Sequence, residues 1–178
     1  MRITAGSMRG RVMQVPDIKG LRPTPSKVRQ ALFNILGDIQ QQSFLDLFAG
    51  SGVMGIEALS RGATSVLSIE ANSQAYAAMK SIQTSWDIEG WKIQHGELPQ
   101  ALPEYHFDVI YADPPYDQGF SAQIPQWLKQ NNITFKTLVI EEASRVNVAW
   151  LAGMMPMKQR KYGDTTLYFF EASELLSV

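Results

Sequence analysis

The sequence contains no cysteine. That excludes disulfides, thiolate zinc sites and cysteine nucleophiles. Histidine is nearly missing too: His95 and His106 are the only two, too few for a multi-histidine metal centre, so no metal is expected. No apolar run approaches the ~20 residues that span a bilayer. The opening Met1-Arg2-Ile3-Thr4-Ala5-Gly6 is not followed by the apolar core of a signal peptide. A cytoplasmic protein without a membrane partner is therefore expected, and a monomer. An excess of one charge is also lacking, since sixteen Lys and Arg stand against seventeen Asp and Glu. What is present is enough for one globular domain: 178 residues, 45% of them hydrophobic and 19% charged, a balance that argues against disorder.

The charge that exists is unevenly placed. From Arg2 to Arg29 there are seven basic residues (Arg2, Arg9, Arg11, Lys19, Arg22, Lys27, Arg29) and one acid, Asp17. The rest of the chain is correspondingly acidic. A basic arm on an acidic body suits a polyanion such as nucleic acid, and Arg9, Arg11, Arg22, Lys27 and Arg29 are the candidate phosphate contacts.

The elements follow from periodicity. Residues 1–23 read as a short hairpin or arm, with Ile3–Ala5 and Val12–Val15 as strands and Gly6 and Gly10 at its turns. Thr24 is placed to cap a helix whose first position is Pro25, and Val28, Leu32, Ile35 and Leu36 then recur on one face. From Ser43 strands and helices alternate. Strands are expected at Phe44–Leu47, Ser65–Ile69, Lys92–His95, Phe107–Tyr111 and Thr137–Glu141. Helices are expected at Gly52–Ser60, from an Asn72 cap to about Trp86, and over Phe120–Gln130. Such alternation predicts an α/β fold with a mostly parallel sheet. Met157–Tyr162 and Thr165–Phe170 flank Gly163-Asp164 and predict a closing antiparallel hairpin.

Gly50, Gly52 and Gly55 spell G-x-G-x-x-G between a strand and a helix, and Glu70 follows at the end of the next strand. Glycines let a backbone approach a ligand closely, and the acid suits ribose hydroxyls. This motif alone does not choose between nicotinamide and S-adenosylmethionine. Asp46 does bear on the choice. A carboxylate at that strand end repels a pyrophosphate but can accept bonds, directly or through water, from a cationic amino-acid cofactor. The run Phe48-Ala49-Gly50-Ser51-Gly52 points the same way. Glu97, after the third strand, is the candidate acceptor for an adenine amino group.

Asp113-Pro114-Pro115-Tyr116 follows the apolar strand Val109-Ile110-Tyr111. It matches the motif of enzymes that methylate amino nitrogens conjugated with a planar ring. Such a nitrogen is a poor nucleophile because its lone pair is delocalised. Acceptors at the Asp113 side chain and the Pro114 carbonyl would draw density toward it and stabilise the charge that develops in the transition state. The prolines stiffen the loop, and Tyr116 offers a face for a flipped-out base.

Taken together these residues resemble the RsmD family of bacterial small-subunit ribosomal RNA guanine-N2 methyltransferases. The resemblance runs through Arg2-Ile3-Thr4-Ala5-Gly6 with Arg9-Gly10-Arg11, Leu21-Arg22-Pro23-Thr24, Lys27-Val28-Arg29, and Leu32-Phe33-Asn34-Ile35-Leu36. It continues in Leu45 to Gly52, Gly55 to Ala63, Asp113 to Tyr116 and Lys161-Tyr162-Gly163-Asp164-Thr165. Ser26 and Gln30 stand where the family commonly carries acids, and Glu97 where it commonly carries Asp. The resemblance implies a Rossmann-like class I methyltransferase fold, with a basic arm and helix in residues 1–37 and the S-adenosylmethionine-dependent domain in 38–178. It also implies a guanine of 16S ribosomal RNA as target (the guanine-966 class), in a partly assembled small subunit. A DNA adenine-N6 methyltransferase, a nicotinamide oxidoreductase and a non-catalytic RNA-binding assembly factor are the alternatives.

Overall fold

The computed structural model describes residues 1–15, 17–18, 24–116, 118–151 and 154–172. The chain divides into two units, Met1–Ala101 and Leu102–Val178. Among the described residues no helix is long and apolar enough to cross a membrane.

The first unit holds α1 (Ser26–Leu36), β1 (Ser43–Leu47), α2 (Val53–Ser60), β2 (Ser65–Glu70), α3 (Ser73–Trp86) and β3 (Trp91–His95). Its strands run in the order β3-β2-β1 and are parallel, with Asp46 opposite Ser68 and Glu70 opposite His95. β1 is buried along four of its five residues, as a strand covered on both faces must be. Asn72 caps α3 as expected, its Oδ1 accepting from the Gln74 and Ala75 N–H groups at 2.9 and 3.0 Å. Ala75, Met79 and Ile82 then bury one stripe of that helix. Leu45, Leu47, Ile56, Ile69 and Met79 are all 1% exposed or less, each worth roughly 1.5–3 kcal/mol of transfer free energy.

The second unit holds β4 (His106–Ala112), α4 (Phe120–Gln130), β5 (Thr134–Ala143), β6 (Lys158–Tyr162) and β7 (Thr165–Glu171). β4 and β5 are parallel, whereas β5–β7 and β7–β6 are antiparallel. The alternating pattern and the closing hairpin are therefore both present: the fold is α/β with mostly parallel pairing and an antiparallel end.

Two local expectations need correction. Pro25 is the N-cap of α1, not its first helical residue, and no side chain caps that helix. The Pro25 carbonyl takes the Val28 and Arg29 N–H groups instead. The strand pairing of the arm is shorter than expected: among the described residues an antiparallel bridge joins Arg2 and Val12, with the Ile3 N–H donating to the Arg11 carbonyl, the Gly10 N–H to the Ile3 carbonyl and the Met13 N–H to the Met1 carbonyl. The reason is competition for its backbone. The Thr4 N–H donates to Glu57 Oε1 at 2.7 Å, and the Ser7 N–H donates to the Ser60 carbonyl at 2.7 Å. The pairing therefore stops after Ile3, and Thr4 and Ser7 bond to α2 instead.

Glu57 is the centre of that attachment. It is fully buried in α2. Its carboxylate takes the Thr4 N–H and, at 3.0 Å, the Thr4 hydroxyl, and it pairs with Arg29 at 3.5 Å and Arg61 at 3.4 Å. Arg29 in turn donates to the carbonyls of Thr24 and Arg2 at 2.6 and 2.7 Å. Arg61 lies 4.6 Å over the Phe33 ring and donates to Thr4. The Ser60 hydroxyl continues the seam, donating to the Ala5 carbonyl at 2.5 Å and accepting from the Met8 N–H at 2.9 Å. Gly6 is required here: its φ is +80°, and a Cβ would sit 1.6 Å from the Ser60 carbonyl oxygen.

Removing one member of a buried ion cluster strands the others. Glu57→Ala should lower unfolding free energy by about 3–5 kcal/mol in urea denaturation, with loss of protection of the arm in hydrogen exchange. An unchanged denaturation midpoint would contradict this assignment.

Candidate active site

In the first unit the candidate site begins where β1 ends. Phe48, Gly50 and Gly52 have φ of +58°, +56° and +74°, so every second residue of the loop is left-handed. Alternating handedness makes a tight concave turn, in which the Ala49, Gly50 and Gly52 N–H groups find acceptors within the protein. The Ala49 N–H is held by the Ile69 carbonyl at 3.0 Å. Glu70 closes the loop: its Oε2 accepts from the Gly50 N–H and its Oε1 from the Asn72 N–H, both at 2.7 Å. A carboxylate has about four lone-pair sites, so the half-buried Glu70 keeps acceptor capacity for hydroxyls. That donor and acceptor set fits an adenosyl cofactor. Beside it lies an apolar crevice lined by Val15, Ile18, Gly50, Ser51, Ala75 and Ala78.

The glycines divide into two roles. Gly50 shapes the loop. Gly52 and Gly55 were expected to admit a ligand, but a Cβ on Gly52 would lie 2.6 Å from Trp91 and 2.7 Å from Met79. One on Gly55 would lie 2.9 Å from Ser68. Their missing side chains make room for the protein's own core. Asp46 is also turned inward. It is 1% exposed, and its Oδ2 accepts from the Gly55 N–H at 3.3 Å and the Ser68 hydroxyl at 3.4 Å. Ser68 in turn accepts from the Trp91 indole N–H at 2.9 Å. The carboxylate thus holds the start of α2, and a direct bond to a cofactor must use its other oxygen. Burial pushes the Asp46 carboxyl well above 3.8, the Gly55 and Ser68 bonds oppose this, and the Glu70 charge adds to it.

In the second unit the Asp113-Pro114-Pro115-Tyr116 loop follows directly on β4. Pro114 is buried, Pro115 is exposed, and Asp113 and Tyr116 are half-buried. The Tyr116 hydroxyl donates to Glu141 Oε1 at 3.4 Å, and the Tyr111 hydroxyl donates to Oε2 at 2.5 Å. Burial pushes the ionisation of the Tyr116 phenol far up, and the negative charges of Asp113 and Glu141 add to the effect. Its hydroxyl therefore stays protonated at any working pH and serves as a donor, not a base. Burial also raises the Glu141 carboxyl, against the bonds from Tyr111, Tyr116 and Thr165.

The basic residues of the arm separate. Arg9 and Lys27 are exposed. Arg11 lies 4.0 Å over the Trp86 ring. Arg29, expected on phosphate, is 3% exposed and held inside by Glu57, Thr24 and Arg2. It is a structural residue. Arg22 lies outside the described residues. Glu97 is exposed after β3, its carbonyl taking the Ala101 N–H. Glu141 was missed altogether, although an acid within the apolar run Thr137-Leu138-Val139-Ile140 was a visible signal. Among the described residues no cluster of acids and histidines could hold a metal ion.

Residues 1–171 match the family model described as Conserved hypothetical protein 95. Ribosomal RNA small subunit methyltransferase D of Haemophilus influenzae is 38% identical over 74% of this chain and 72% of its own length. The Escherichia coli protein yhhF, a proposed methyltransferase, superposes with a TM-score of 0.84 at 26% identity, covering 97% of each chain. An RNA methyltransferase of Salinibacter ruber, solved with S-adenosyl-L-homocysteine, shares the fold at 16% identity, with a TM-score of 0.65 over 85% of this chain and 94% of its own.

The Asp46 environment makes a pH prediction. Its folded pKa lies above 3.8, so the stability supplied by the neutral acid is complete below that value. It is lost as pH rises through the folded pKa. Asp46→Asn, neutral at every pH, should flatten this part of the profile. Denaturation midpoints measured from pH 4 to pH 8 should shift in favour of the variant as pH rises; a constant offset between the two proteins would count against it.

Proposed function

Because the chain belongs to the RsmD family, we propose that it transfers a methyl group from S-adenosylmethionine to the exocyclic N2 of a guanine in 16S ribosomal RNA. The substrate is the small subunit or an assembly intermediate of it, and the guanine is of the class at position 966. The observation that carries this reading is the Asp-Pro-Pro-Tyr loop seated at the end of β4, in a chain whose glycine loop is closed by an acid at the end of β2.

The cofactor supplies an electrophilic methyl group. Gly50 and Glu70 would hold it, the Gly50 backbone allowing close approach and Glu70 offering its remaining acceptor sites to the ribose. Phe48 and Gly52 set the path of the loop, and Asp46 fixes it from behind. Glu97 accepts from the adenine amino group. Asp113 and the Pro114 carbonyl accept from the target amine, which orients its lone pair and offsets the positive charge that grows on nitrogen. The Tyr116 ring stacks on the base. Arg9, Arg11, Arg22 and Lys27 meet RNA phosphates, so binding weakens steeply with salt.

The experiment is methyl transfer from labelled S-adenosylmethionine to small-subunit particles of a strain lacking its own enzyme, followed by nucleoside analysis. N2-methylguanosine in 16S RNA is the expected product. Methyladenosine, or transfer to duplex DNA in preference to particles, would overturn the substrate. Asp113→Ala should lower kcat about 100-fold or more while leaving cofactor affinity unchanged; turnover like that of the wild type would remove Asp113 from the mechanism.

A further inference from the structure

Methyl transfer as described makes no use of Glu141, yet this acid is 1% exposed at the end of β5. Burying a carboxylate is costly unless its lone pairs are met. Its neighbour Glu142 has its own partners, the Ser121 hydroxyl and the Ala143 N–H, both at 2.8 Å. Glu141 gathers hydroxyls instead: Tyr111 from β4, Tyr116 from the Asp-Pro-Pro-Tyr loop and Thr165 from the start of β7. Three hydroxyl donors need an acceptor with several lone pairs. A carboxylate provides about four sites, whereas glutamine presents one acceptor oxygen and two N–H donors.

The geometry points to Glu141 as a positioning residue: it clamps the Tyr116 hydroxyl, and so sets the tilt of the ring on which the target base stacks. This rests on the reading of that loop as the one that takes the amine. The clamp has a specific form. Oε2 is bound by Tyr111, whose side chain is 1% exposed and part of the core. Oε1 reaches the catalytic loop. One carboxylate thus references the loop to the sheet. The phenol of Tyr116 is a tether, and its ring is the working surface.

The test compares Glu141→Gln, Tyr116→Phe and the double variant in the methyl-transfer assay. Each single change should lower kcat about tenfold, the scale of one hydrogen bond to a charged group. KM for S-adenosylmethionine should not move. The double variant should be no slower than the slower single variant, because both changes break the same link. Tyr116→Phe deletes one oxygen from a half-buried side chain and leaves the Glu141–Tyr111 bond in place, so it reports even where Glu141→Gln folds poorly. A second readout needs no turnover. In tyrosine-labelled protein followed by NMR at one pH, the Tyr116 ring resonances should shift and broaden in Glu141→Gln relative to the wild type. Wild-type kcat in Tyr116→Phe, a multiplicative double variant, or Tyr116 ring resonances unmoved by Glu141→Gln would overturn the clamp. A wild type that transfers no methyl group would instead overturn the reading of the loop, and this inference with it.

Discussion

The carboxylate of Glu57 is the constraint on which the first unit depends. It sits in the second turn of α2, the helix that begins where the glycine loop ends. Through it α2 is joined to Thr4 of the arm, to Arg29 of α1 and to Arg61 just beyond its own end. One negative charge meeting two guanidinium groups, a hydroxyl and a backbone N–H leaves the acid well satisfied. It also makes each partner dependent on the others. The arm is therefore not an appendage. Its backbone is fastened along α2, and what remains exposed is its outer side chains, Arg9 among them, with Lys27 exposed on α1.

A similar device recurs in the second unit. Glu141 is buried among hydroxyls as Glu57 is among cations, and both connect a segment assigned to function with the sheet or helix beneath it. Burial raises the Glu141 carboxyl against the bonds from its hydroxyl donors, and burial with the nearby Asp113 and Glu141 charges keeps the Tyr116 phenol protonated.

Much of this was legible from periodicity and spacing. The alternation from β1 to β5, the Asn72 cap, the span of α4 and the closing hairpin each depend on local patterns, and each is present. Glu70 and Asp113 fall at strand ends because a carboxyl-end loop follows each strand in such a fold. What was not legible depends on distant partners. Ile3 pairs with Gly10 and Arg11 as a strand residue does, but Thr4 and Ala5 turn to α2 for their hydrogen bonds. Arg29 looks like one more cation in a basic run until Glu57, twenty-eight residues later, buries it. Gly52 and Gly55 fit a cofactor fingerprint, yet only the positions of Trp91, Met79 and Ser68 show that their own core fills the space. Glu141 could be seen as an acid in an apolar strand, but its two tyrosine partners come from β4 and the loop after it.

We propose that the loop from Phe48 to Gly52, closed by Glu70, holds S-adenosylmethionine. Titration calorimetry of the wild type and of Glu70→Ala, each with S-adenosylhomocysteine and with NAD, tests it most directly. The wild type should bind S-adenosylhomocysteine and not NAD, and Glu70→Ala should bind it at least ~10-fold more weakly, the loss of a charge-assisted bond. Binding of NAD in preference, or equal affinity in Glu70→Ala, would contradict it.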